Sequence, residues 1–372
     1  MKFLFAGGGT AGHINPALAI ANRLREMNSD AEVRFVGTKE GLEAGLIPHS
    51  GYPLDFIKVH GFERKYSFKT IKTMAEIPFA IEASKRIIKE FKPDAVVGTG
   101  GYVCGPVLYA AAKLKLPTLV HESNAFPGIT TKILSQYVDE VAVGIEAGER
   151  YLPKARKIVF TGNPVRPSML TVDSFAARRR LGIDKKPFIV IFGGSLGARD
   201  FNRAMADWIC SAADRGEYRI LMGTGKLNQY EAVIDRFKEN GFDLGAHPDI
   251  TVSEYIYDMD IAMNAADLVI SRAGASTLAE LTAIGKPAIL VPSPYVTDNH
   301  QEHNARAVES GGGALVIAEA ELTAEKIDAA VSSIVGDKKR LAAMGEASAK
   351  MGVRDSADRI CGEIMKLIKN KA

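Results

Sequence analysis

Residues 1–24, MKFLFAGGGTAGHINPALAIANRL, carry the reading on which the fold turns. A short apolar strand runs into glycines, and an amphipathic helical stretch follows. Gly7, Gly9 and Gly12 satisfy G-x-G-x-x-G, the spacing of a dinucleotide-binding turn. His13 stands where the helix should begin. Either the loop holds a nicotinamide or flavin dinucleotide, or it serves another ligand and presents the imidazole to it.

A nicotinamide site needs an acid at the end of the second strand to bind the ribose hydroxyl. That strand ends RFVGTKEG, with Gly37 and Thr38 at its tip and Glu40 only in the loop beyond, which weakens the dinucleotide reading. What remains is a turn that a ligand can approach closely and a helix end that attracts negative charge. A positive helix end favours the neutral imidazole that a general base needs, so His13 is a candidate base. The plainer alternative is a polar helix-terminal residue with no chemistry.

The 372 residues, of near-zero mean hydropathy, suit two domains rather than one core. Cys104, Cys210 and Cys361 are far apart and give neither a disulfide framework nor a zinc site, which fits a reducing cytoplasm. No signal-peptide architecture opens the chain, and no apolar run approaches the roughly 20 residues of a membrane span. The net charge is only +3, yet residues 58–92 carry nine Lys and Arg against four Asp and Glu.

Short β-branched runs alternate with amphipathic stretches throughout, the mark of parallel βαβ units and an α/β fold. A second strand–glycine–helix opening, FIVIFGGSLGARDFNRAMADWI at 188–209, echoes the first. Two Rossmann-like domains are expected, over 1–163 and 164–345, punctuated by Pro164 and Pro167. A last helical stretch, 346–372, is open to packing back on the first domain. Ligands of such sheets bind beyond the strands' carboxyl ends, so two facing domains are expected to place a cleft between them.

Several motifs fall at those ends. GTGGYVCGP (98–106) is a second glycine turn, and HESNAFPG (121–128) offers a His121–Glu122 pair and Asn124, an amide suited to sugar or amide recognition. Gly193, Gly194, Ser195 and Gly197 would set backbone N–H groups and a hydroxyl around a diphosphate; no Gly-Lys-Ser/Thr follows, which argues against triphosphate hydrolysis. In SRAGASTLAEL (271–281), Thr277 and Glu280 form T-x-x-E: a capping box, or a carboxylate for a ribose diol. DNHQEHNA (298–305) is a dense polar patch suited to sugar hydroxyls, and its H-x-x-H is too sparse for a metal site. Asp258 and Asp260 have D-x-D spacing, but they precede a helical run, and N-terminal capping explains them better than a metal. The basic segment interleaves Phe62, Tyr66, Phe68, Ile71, Met74, Ile77 and Phe79 with lysines, as a surface on anionic lipid does; an ordinary amphipathic helix pair is the bland alternative, and no recognition fold supports nucleic acid.

Taken in order, GGGTAGHINPALA, GTGGYVCGP, HESNAFPG, GNPVR, GGSLGAR, SRAGASTLAEL and DNHQEHNA closely resemble the MurG family, from Gly7 to about Asn304. The resemblance implies a GT-B fold of two Rossmann-like domains, the acceptor on the first and the donor mainly on the second. It implies inverting, cofactor-free and metal-free transfer of GlcNAc from UDP-GlcNAc to the C4 hydroxyl of MurNAc in undecaprenyl-diphosphate-MurNAc-pentapeptide. The enzyme would be peripheral, on the cytoplasmic membrane face, held by anionic lipid at Phe62, Lys65, Phe68, Lys69, Ile71, Lys72, Met74 and Phe79. His13 falls on the family's base. Donor contacts fall on Thr10, Ala11, Gly12, Asn124, Arg166, Ser195, Ile256 (backbone), Ala275, Ser276, Thr277, Glu280, Gln301 and Asn304. Ala11 replaces a common glycine, and His300 stands where some members have glutamine. The rival readings are a UDP-GlcNAc 2-epimerase-like enzyme and a non-catalytic, membrane-bound UDP-sugar sensor.

Overall fold

The computed structural model describes residues 1–61, 68–183, 185–226 and 228–371, with backbone alone for 68–74. The chain divides into two compact units, Met1–Pro164 with Asp355–Ala372, and Val165–Arg354.

In the first unit seven strands, β1 (Lys2–Ala6), β2 (Glu32–Gly37), β3 (Leu54–Phe56), β4 (Ala95–Gly98), β5 (Thr118–Glu122), β6 (Glu140–Val143) and β7 (Ile158–Phe160), form one parallel sheet in the order β3-β2-β1-β4-β5-β6-β7. In the second, β8 (Phe188–Phe192), β9 (Arg219–Gly223), β10 (Ile250–Ser253), β11 (Leu268–Ser271), β12 (Ala288–Leu290) and β13 (Ala314–Val316) form a parallel sheet ordered β10-β9-β8-β11-β12-β13.

Central strands of such sheets are covered on both faces, so their sequences are apolar at every position rather than at alternate ones. In β1, Leu4 and Ala6 join one core cluster while Phe3 and Phe5 join another. In β8, Ile189 and Ile191 face one side, and Phe188, Val190 and Phe192 the other. Helices supply the matching stripes. Phe201, Met205, Trp208, Ile209 and Ala212, at helical spacing on Arg199–Ala213, are all buried.

Both sheets reverse their strand order once, between β1 and β4 and between β8 and β11. At such a switch point the loops after the two adjacent strands diverge and open a crevice at the carboxyl edge, the usual place for a ligand in an open α/β sheet.

The helix over Lys338–Met351 belongs to the second unit, so residue 345 lies within a helix and the chain leaves that unit only after Arg354. The helix over Ser356–Lys371 then completes the first unit: Ile360, Cys361 and Ile364 share a core with Phe3, Phe5, Ile14, Ile20 and Leu24. Lys157 reaches both Glu140 (2.7 Å) and Glu363 (2.6 Å), and Lys371 reaches Asp139 (2.6 Å). Among the described residues no helix is long and apolar enough to cross a membrane.

Ile360→Ala removes a wholly buried side chain from that core. It is expected to lower stability by about 2–5 kcal/mol, read as a reduced midpoint in denaturant unfolding followed by a first-unit probe.

Candidate functional site

In the first unit the crevice is lined by the two glycine turns. Helix α1 (Ala11–Met27) starts after Thr10, whose extended backbone makes it the N-cap residue without a side-chain cap bond. Thr10, Ala11 and Gly12 are exposed. His13, third in the helix, turns its ring back over the loop: Nδ1 lies 3.0 Å from the Gly8 carbonyl and 3.3 Å from Thr10 Oγ1. A carbonyl can only accept, so Nδ1 carries the proton and Nε2 is the acceptor, an assignment made from the hydrogen-bond network.

The second turn makes this arrangement possible. Gly100 and Gly101 have φ of +106° and +83°, which glycine adopts freely. A Cβ on Gly100 would come within 3.0 Å of the His13 ring, and one on Gly101 within 3.0 Å of the Gly8 carbonyl. Thr99 Oγ1 donates to the His13 carbonyl (2.7 Å), and Cys104 Sγ donates to the Ala6 carbonyl (2.8 Å). Burial pushes the Cys104 thiol up to about 12, so it stays a thiol.

Motif reading missed Glu43, which caps nothing and matches no signature. It opens a short helix (Glu43–His49) and is wholly buried. Its carboxylate accepts from the N–H of Gly9 (3.0 Å), the N–H of Thr38 (3.0 Å) and the hydroxyl of Thr38 (2.8 Å). Burial alone would raise its pKa, but these bonds outweigh it and hold the carboxyl below the ordinary range.

His121 and Glu122 do not pair by a hydrogen bond. Adjacent strand residues point to opposite faces. His121 Nε2 donates to the Gly162 carbonyl (3.2 Å) and Nδ1 has no partner, so burial lowers its pKa to about 4. Glu122 instead organises the loop beyond β5, accepting from the Asn124 backbone (3.1 Å), the Asn124 amide (3.2 Å) and the Gly128 N–H (3.1 Å).

In the second unit Gly194 (φ +100°) and Gly197 (φ +83°) bend the loop after β8, and Ser195 is exposed on it. This loop rests on the one after β9: Lys226 donates its N–H to the Ser195 carbonyl (3.1 Å). Across the switch point, Ala275, Ser276 and Thr277 are the first residues of a helix over Ala275–Ala283. Their N–H groups have no acceptor within that helix and mark its positive end.

That register settles the T-x-x-E motif. The N-cap is Gly274, which has no side chain, so Thr277 and Glu280 form no capping box. Glu280 instead meets Arg166 through two hydrogen bonds, 2.6 Å from Nε and 3.1 Å from Nη2, which hold the guanidinium firmly charged. Asp258 likewise occupies an N-cap position without capping. Its carboxylate reaches Arg180 (3.0 Å), and Asp260 accepts from the adjacent Ile261 N–H (3.0 Å). Among the described residues no group of three or more His, Cys, Asp or Glu could hold a metal ion.

Ile256 is buried against Gly223, Gln301 accepts from the Ser293 N–H (2.9 Å), and Asn304 is buried and donates to the Ala273 carbonyl (3.3 Å). His300 Nδ1 donates to the Thr297 carbonyl (2.7 Å). Arg272, also missed, is nearly buried, pairs with Glu319 and donates to the Val291 carbonyl (3.2 Å), tying three of the unit's loops together. Phe62 and Lys65 lie outside the described residues. Phe68, Lys69, Ile71, Lys72 and Met74 belong to the helix Phe68–Phe91, with side chains outside the description, and Phe79 is 77% exposed.

Comparison with known proteins gives these two loop clusters a context. Residues 3–143 match the glycosyltransferase family 28 N-terminal domain, and residues 188–360 the family 28 C-terminal domain. A protein of Acetivibrio thermocellus named UDP-N-acetylglucosamine–N-acetylmuramyl-(pentapeptide) pyrophosphoryl-undecaprenol N-acetylglucosamine transferase is 46% identical, over 100% of both chains. A Listeria monocytogenes protein of the same name is 45% identical over 99% of this chain and 100% of its own. The crystal structure of Acinetobacter baumannii MurG is 28% identical, with a TM-score of 0.81 over 98% of this chain and 99% of that one. A Neisseria meningitidis UDP-GlcNAc 2-epimerase, 14% identical at a TM-score of 0.66, shares the fold.

Gly101→Ala is expected to destabilise the first unit by roughly 1–3 kcal/mol, because a positive φ and the unyielding Gly8 carbonyl oppose the new methyl group. Thermal or denaturant unfolding of the variant measures the loss.

Proposed function

The chain belongs to glycosyltransferase family 28 and to the MurG family within it, and on that premise we propose that it moves GlcNAc from UDP-GlcNAc to the C4 hydroxyl of MurNAc in undecaprenyl-diphosphate-MurNAc-pentapeptide. The observation that carries this reading is 46% identity, end to end, with a relative named for such a transfer. The reaction is a single inverting displacement. The acceptor O4 attacks the sugar's anomeric carbon, its proton passes to His13 Nε2, and the anomeric C–O bond breaks with its electrons going to the UDP diphosphate.

The residues have complementary tasks. Ser195 and the N–H groups of Ala275, Ser276 and Thr277 meet the diphosphate, where charge develops and electrostatic stabilisation counts most. Glu280, positioned by Arg166, takes the ribose hydroxyls, and the Ile256 backbone reads the uracil. Gln301 holds the GlcNAc, whereas Asn304, expected from the sequence to touch the donor, is wholly buried on the Ala273 carbonyl and supports that loop from beneath; Thr10, Ala11, Gly12 and Asn124 complete the donor contacts. Helix-end N–H groups offset the leaving charge, so the proposed reaction uses neither metal nor organic cofactor. The segment from Phe62 to Phe79 docks on anionic lipid at the cytoplasmic membrane face and makes the enzyme peripheral. Nucleic acid is not a partner in this reading.

Supplied with UDP-GlcNAc and a soluble lipid acceptor analogue in the presence of EDTA, the protein is expected to release UDP and form a disaccharide. Acceptor-independent UDP-ManNAc formation would identify an epimerase instead, and binding without turnover a sensor. His13→Ala is expected to cut turnover at least ~100-fold with UDP-GlcNAc affinity little changed; near-normal rates would remove His13 as the base. Replacing Lys65, Lys69 and Lys72 by Glu is expected to weaken sedimentation with anionic vesicles while activity on the soluble acceptor survives. Unchanged vesicle binding would refute the lipid assignment.

A further inference from the structure

One peptide group joins two contacts of the first unit. The bond between Gly8 and Gly9 offers its carbonyl to His13 Nδ1 at 3.0 Å and its N–H to Glu43 Oε2 at 3.0 Å. In a trans peptide those groups point in opposite directions. Carboxylate, peptide and imidazole therefore form one directed chain, in which each hydrogen bond polarises the next.

The carboxylate has little freedom to do anything else. Its other oxygen is taken by the N–H and the hydroxyl of Thr38, and the side chain is wholly buried. A Cβ on Gly8, Gly37 or Gly41 would lie within 3.0 Å of Glu43, so glycines of the loop after β1, the end of β2 and the loop beyond it make room for this one acid. The far end of the chain is open: among the described residues His13 Nε2 has no hydrogen-bond partner.

We propose that Glu43 is a positioning residue for His13, acting through the Gly8–Gly9 peptide: it fixes the imidazole as the Nδ1–H tautomer, leaves Nε2 as the acceptor, and stabilises the imidazolium formed when the acceptor hydroxyl gives up its proton. The proton goes to Nε2 and stays there; Glu43 remains a carboxylate and neither makes nor breaks a covalent bond. The arrangement resembles the carboxylate–imidazole pair of hydrolytic triads with a peptide inserted between the partners. It rests on the reading of His13 as the base.

The test is a mutant cycle in steady-state kinetics. Glu43→Gln is expected to lower kcat roughly 10- to 100-fold, by analogy with the outer hydrogen-bond partners of metal-binding imidazoles, with KM for UDP-GlcNAc within about twofold. In a His13→Ala background the same substitution is expected to cost nothing further. An unchanged kcat in Glu43→Gln, or an equal loss in both backgrounds, overturns the proposal. Normal turnover in His13→Ala alone instead overturns the base assignment, so the two failures are distinct. Glu43→Gln also disturbs a buried site, so nitrogen-15 NMR of the unaltered protein provides a second arm. A His13 imidazole protonated at Nδ1 supports the chain of contacts, and one protonated at Nε2 refutes it.

Discussion

Everything at the carboxyl edge of the first sheet depends on two glycine turns that touch where no side chain fits. Gly101 faces the Gly8 carbonyl, Gly7 faces the Thr99 hydroxyl, and Gly100 faces the His13 ring, each too close for a Cβ. The sheet order makes this contact unavoidable, because β1 and β4 are neighbours and their loops leave the same edge. Backbone therefore packs on backbone, and the ring of His13 lies directly over the contact. Glycine's lack of bulk sets the place of the imidazole as much as any hydrogen bond does.

Buried charges do the rest of the alignment. A lone buried ion is costly, and here each one is met by donors or acceptors of the loops around it. Glu43 gathers two segments, Glu122 closes the loop after β5 on itself, and Arg272 with Glu319 joins three loops of the second unit. Breaking one partner of such a cluster leaves an uncompensated charge, so these groups hold their loops more rigidly than surface ion pairs can. Rigid loops keep catalytic groups within reach of the geometry they need.

How much of this was legible in the sequence follows from the range of each signal. Strands such as KFLFA and FIVIF, and the turns after them, declare themselves by local composition, because a strand covered on both faces is apolar throughout. The T-x-x-E motif misled because a capping box depends on where the helix starts, and Gly274 starts it three residues before Thr277. The adjacent His121 and Glu122 suggested a pair, but strand geometry points them apart. Glu43 matched no motif: Thr38 lies only five residues before it, but Gly9 lies 34 residues away, and only the folded sheet brings that partner to it. Glu280 and Arg166 both stood out in the sequence, but their pairing did not, because 114 residues separate them.

The last helix of the first unit has a bearing on how the chain is made. Its core residues Ile360, Cys361 and Ile364 are translated after every residue of the second unit, although they pack on the first strand and helix. Until the helix over Ser356–Lys371 docks, Phe3, Ile14, Ile20 and Leu24 lack part of their apolar cover. The first unit's core is thus closed by segments more than 330 residues apart in sequence, a pairing of high loop-closure cost that ties the place of the imidazole to a distant helix.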